Sequence, residues 1–112
     1  MSAGNWKELY SATVEGNASL VEFHVKSGIN VNYQHPEILM TVLVAAIKEG
    51  HTKIALYLLR NGADPRLESH FDQLTPLGAA MKYRNHAVLD ELSSMGVRQS
   101  WLDKLLSKVW LA

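Results

Sequence analysis

The chain contains no cysteine, and that one absence removes disulfides, thiolate nucleophiles and sulfur-ligated metal sites together. It has no charge excess either: 11 basic and 11 acidic residues cancel, so no overall positive field draws it to nucleic acid or an anionic membrane. No window approaches the roughly 18 consecutive apolar residues of a membrane span. The opening MSAGNWKELY has no basic segment leading into a long apolar one, which argues against a secretory leader. A small secreted domain usually needs cross-links, so a cytoplasmic setting is expected.

Catalytic signatures are missing too. HExxH, GxSxG, GxGxxG and GxxxxGK do not occur, and Ser11, Ser19, Ser69 and Ser100 have no visible base and orienter. No enzymatic activity, cofactor or metal is expected. Of the five histidines, His24 and His86 fall on helical stretches with no partner in the sequence. His35 and His70 lie near two successive loops, where a shared metal would need both tips to meet; ordinary surface histidines are the plainer reading.

What is present is a repeat. The 112 residues are 47% hydrophobic, enough for one compact domain over 1–112. The stretch from Thr41 to Asp64, TVLVAAIKEGHTKIALYLLRNGAD, reads as a short helix, a tight reversal at Gly50-His51, a second helix and a helix-ending glycine. Moved forward by 34 positions, Thr41 falls on Thr75, Leu43 on Leu77, Ala46 on Ala80, Leu58 on Leu92 and Gly62 on Gly96. Moved back by 34, Leu43 falls on Leu9, Ala46 on Ala12, Gly50 on Gly16, Tyr57 on Phe23 and Gly62 on Gly28. Three copies of one helix-turn-helix unit follow, over about 5–38, 39–72 and 73–98. A period of this size marks a solenoid, whose units bury their apolar faces only by stacking.

The residues carrying the pattern resemble the ankyrin repeat family. The middle copy sets TVLVAAIKEGH and IALYLLRNGAD against a family pattern of TPLHxAAxxGH followed by VVxLLLxxGAD. The third keeps Thr75-Pro76-Leu77, Ala80, Leu89, Leu92 and Gly96, and the first keeps Leu9, Ala12, Gly16, Leu20, Val21 and Gly28. The implied fold is all-α, an ankyrin-like solenoid of three repeats, here with a C-terminal capping helix over 100–111.

Local signals fill in the scheme. Asn5-Trp-Lys-Glu8 has the spacing of a capping box, and Leu9 and Ala12, with Trp6 or Val14, would form the inner stripe of the first helix. A leading repeat is expected to carry a polar outer face, which Lys7, Glu8 and Glu15 suit and Trp6 does not. Leu43, Ile47, Ile54, Leu58 and Leu59 are the candidate core, with Ala45 and Ala46 allowing close approach. Asn30, Asn32 and Pro36 mark a finger loop over 29–40 with Pro36 near its tip, and a second finger over 63–74 places Ser69 to Asp72 near its tip. Thr75 caps the next helix and Pro76 suits its first position. Arg84-Asn85 replaces Gly-His at the third reversal, so either Arg84 takes a left-handed conformation or the turn is reshaped.

The resemblance also implies a non-enzymatic protein-protein interaction module. In that family, binding residues come from the fingers and from two positions before the turn glycine, and His51 stands at the place of a structural histidine. On this chain the partner-binding candidates are Glu15, Lys48, Glu49, Lys82 and Tyr83 on the first helices, with Tyr33, His35, Glu37, His70, Phe71 and Asp72 on the fingers. Aromatics among mixed charges suit a protein or peptide partner, while interleaved acids weaken attraction to nucleic acid. The bland alternative makes Tyr33 and Phe71 local packing and Lys48 and Glu49 ordinary solvated residues. At the C-terminus, Leu102, Leu105, Leu106 and Val109 form a stripe opposite Lys104, Ser107 and Lys108. That segment either covers the third unit of a monomer or uses Trp101, Leu106 and Trp110 to pair two copies as a homodimer.

Overall fold

The computed structural model describes residues 5–98, and the C-terminal stripe with Trp101, Leu106 and Trp110 lies outside them. Six helices follow in order: α1 (Trp6–Glu15), α2 (Ala18–Lys26), α3 (Val42–Lys48), α4 (Thr52–Arg60), α5 (Pro76–Lys82) and α6 (His86–Ser94). They pair as α1 with α2, α3 with α4 and α5 with α6. The first helices stack on one another as one layer and the second helices as another. Among the described residues there is no sheet, only an isolated antiparallel bridge between Ser69 and Leu74.

Four of the six helices begin on a side chain that accepts an otherwise free amide. Asn17 takes the Leu20 amide, Thr41 that of Val44, Thr75 that of Gly78 and Asn85 that of Val88. Asn5 departs from its expected capping box: it precedes α1 without any side-chain cap bond. Each reversal closes with the same backbone bond at the same step of the period, from Asn17 to Ala12 at 2.9 Å, His51 to Ala46 at 2.9 Å and Asn85 to Ala80 at 2.8 Å. The third does so even with Arg84 in the left-handed region, at φ 56°. The turn is therefore kept rather than reshaped, at a backbone cost of about 1 kcal/mol over glycine.

The core runs between units. Leu43, Ile47, Ile54, Leu58 and Leu59 are all buried, with Ala45, Ala46, Ala79 and Ala80 letting the first helices close up. Trp6 is also fully buried, which resolves its place: it stacks on Tyr10 at 5.2 Å and meets the edge of Tyr33 at 6.0 Å, with His35 alongside at 6.1 Å. Its indole is thus the post on which the first finger leans. Ser69, expected near the second finger's tip, is instead fully buried. Its hydroxyl accepts from the Thr41 amide at 3.3 Å and donates to Met40 Sδ, so it ties the finger to the start of α3.

Candidate functional site

Both fingers end on a residue in the left-handed region, Leu39 at φ 58° and Gln73 at φ 57°, 34 positions apart. They lie side by side. The Gln34 amide donates to Glu68 O at 3.1 Å and accepts from the His70 amide at 3.0 Å, while the Phe71 amide donates to Leu39 O at 2.8 Å. Deeper in, Asn32 accepts from the Asp64 amide at 2.7 Å and donates to Gly62 O at 3.0 Å. These amide clips escaped the sequence reading. The only hint was two polar side chains, Asn32 and Gln34, alternating along one finger.

The expected site residues separate into supports and free groups. Tyr33 and His35 are half-buried against Trp6, and His35 Nδ1 accepts the Glu37 amide at 3.1 Å. Glu37 turns toward Lys7 at 3.5 Å. Phe71 is 69% exposed on a backbone pinned by its bond to Leu39. Beside it, His70 is exposed and held by Gln34 through its backbone amide.

Glu15, Glu49 and Tyr83 occupy matching positions at the ends of the three first helices, each exposed. Lys48 and Lys82 precede the last two, and the Lys82 ammonium lies 5.5 Å from the Tyr83 ring centroid. A cleft of about 370 Å³ between the second and third reversals gathers Lys48, Glu49 and Tyr83 with Arg84. Among the described residues, Lys48, Glu49 and Arg84 form no ion pair.

Tyr10, which was not singled out in the sequence, lies where carboxylates from the end of α3 and from the second finger both act on it. Burial, and after it the Glu49 and Asp72 carboxylates, push its hydroxyl above the ordinary tyrosine range. Both Asp72 carboxylate oxygens are shielded and have no hydrogen-bond partner among the described residues. Asp72 stands 34 positions after Ile38, a finger residue packed on the core, so a carboxylate occupies an apolar position of the repeat. His51 has its structural role: its Nε2 donates to the Val14 carbonyl at 2.9 Å across the first joint. His24 is buried with Glu8 Oε1 at 3.5 Å, a partner one helix back that its sequence position did not reveal. Among the described residues no group of three His, Asp or Glu is placed to hold a metal.

The family model of ankyrin repeats in three copies matches residues 9–100. The chain belongs to the ankyrin repeat family. No curated protein matches it to significance. The ankyrin fold is a non-catalytic scaffold whose general role is to bind other proteins. No helix among the described residues is long and apolar enough to cross a membrane.

Proposed function

We propose that this ankyrin-repeat chain recognises a protein or peptide through the edge formed by its reversals and second finger. The observation that carries the reading is the free chemistry on these two segments: Phe71 exposed on a pinned backbone of the second finger, and Tyr83 exposed beside unpaired Lys48, Glu49 and Arg84 at the reversals. Exposed rings on a rigid backbone offer buried area to a partner at little entropic cost, and surrounding charges orient it. Tyr33 and His35 hold the first finger against Trp6, and Glu15, Glu37 and His70 form a polar rim.

Capture of binding proteins on immobilised wild type, compared with the Phe71→Ala/Tyr83→Ala variant, tests the assignment. The expected outcome is loss of captured protein with unchanged helicity and melting temperature. Undiminished capture by the folded double variant refutes it.

A further inference from the structure

The balanced total charge conceals a gradient along the stack. Residues 5–38 carry Glu8, Glu15, Glu22 and Glu37 against Lys7 and Lys26, a net of −2. Residues 39–72 balance, with Lys48, Lys53, Arg60 and Arg66 against Glu49, Asp64, Glu68 and Asp72. Residues 73–98 carry Lys82, Arg84 and Arg98 against Asp90 and Glu91, a net of +1, and residues 99–112 add Lys104 and Lys108 against Asp103, another +1. One end of the solenoid is acidic and the other basic.

The acidic end is also apolar. Leu20 is 38% and Phe23 63% exposed on α2, beside a groove of about 400 Å³ between α1 and α2 lined by Glu8 and Glu15, and by Lys7, whose ammonium is turned to Glu37. Each following repeat uses the equivalent of Leu20 to grip its neighbour: Ile54 and Val88, 34 and 68 positions on, are buried. Ile54 and Tyr57, the latter equivalent to Phe23, face α2 across the gap between α2 and α4. The first repeat therefore presents the gripping surface of an internal repeat on its second helix, while Lys7, Glu8 and Ser11 make its first helix polar where Thr41, Val42 and Ala45 are buried.

We propose that this groove receives the C-terminal segment 100–111 of a second copy, joining molecules head to tail. The segment's sequence sets Leu102, Leu105, Leu106 and Val109 at i, i+3, i+4 and i+7, the spacing by which a helix lays an apolar face into a groove. Lys104 and Lys108 on the segment complement Glu8 and Glu15 beside the groove. The same chain does not supply the segment. Helices of successive units sit roughly 8–10 Å apart, so the outward face of the first repeat is about 20–30 Å from the third, beyond what the residues between Arg98 and the start of the segment at 100 can span. Each copy keeps a vacant groove and a vacant tail until a ring closes, so association grows with concentration.

The test is sedimentation of the full chain over a concentration series, with circular dichroism confirming that each variant is folded. Wild type rises above monomer mass, and raising salt from about 50 to about 500 mM weakens the association. Phe23→Lys, a head variant at an exposed position, and Lys104→Glu/Lys108→Glu, a tail variant, each lower the association constant roughly tenfold or more. Mixed together, the two variants form a 1:1 dimer that grows no further, since one keeps a working tail and the other a working head. Adding Glu8→Lys/Glu15→Lys to the tail variant restores self-association. A wild type that stays monomeric at every concentration overturns the proposal, as does a tail variant that still self-associates, which would mean that two first repeats pair face to face.

Discussion

The joint between the first and second repeats and the joint between the second and third solve one problem with different chemistry. In the first, side-chain amides and an imidazole do the work: Asn32 spans Gly62 O and the Asp64 amide, Gln34 spans Glu68 O and the His70 amide, and His51 reaches Val14 O. In the second, Arg66 reaches Gly96 O at 3.3 Å from the position that Asn32 holds one period earlier, and Arg60 pairs with Glu91 at 3.0 Å. Asn85 adds one neutral bond to Thr52 at 3.0 Å. The period preserves the backbone acceptor and lets the donor change. A carboxamide that bridges two backbone groups is insensitive to pH and salt, and an exposed guanidinium is not.

The largest expected effect is common to both joints. Leu58→Ala, in the fully buried middle of α4, should cost about 2–5 kcal/mol in a urea melt and weaken the whole stack together. A loss confined to one end would show that the joints unfold independently.

Next comes a pair of glycines that separates the joints. Gly16 and Gly50 have φ values of 80° and 78°, but a Cβ on Gly16 would come within 2.7 Å of His51 Cε1, whereas one on Gly50 would meet nothing within 4 Å. Gly50→Ala should cost about 1 kcal/mol from backbone strain alone. Gly16→Ala should cost roughly 2–3 kcal/mol, because the His51 ring must also leave its bond to Val14. Equal losses would mean that His51 gives way freely and does not hold the first joint.

Asn32→Ala is expected to cost roughly 1–2 kcal/mol by stranding a backbone donor and acceptor, with no dependence on salt. Glu91→Gln should be smaller and should depend on pH. The hydrogen bond from Arg60, opposed by partial desolvation and aided by the guanidinium's charge, holds the Glu91 carboxyl below its usual range. Its contribution is present above the ordinary carboxylate pKa and is lost as pH falls through the lowered folded value. Melts of wild type and variant should therefore converge in acid, while those of Asn32→Ala stay displaced. Persistent separation of Glu91→Gln from wild type in acid would show that the pair acts through shape rather than charge.

Much of this architecture was legible before any coordinates. Thr75 caps α5, the core leucines and isoleucines of the middle copy are buried, and of the two conformations left open at the third reversal Arg84 takes the left-handed one. These follow from local pattern and a fixed spacing. Trp6, Ser69 and the Asn5 cap did not follow. Trp6 looked misplaced on a leading repeat because its burial depends on Tyr10, Tyr33 and His35 converging from a helix and a loop. Ser69 read as a loop-tip residue because its partners, Met40 and Thr41, are 29 and 28 positions away.

The amino-acid order alone determined the unit: where each helix starts, where the chain reverses, and that successive units must stack to cover their apolar sides, since those properties reside in neighbouring residues and their period. Tertiary structure decided which polar side chains became clips, that the Glu49 and Asp72 carboxylates both act on Tyr10, and that Leu20 and Phe23 face outward at an acidic end. The reason is one of reach. A side chain's role across a joint depends on where a helix some thirty residues away comes to rest, and that position is set by the packing of whole faces.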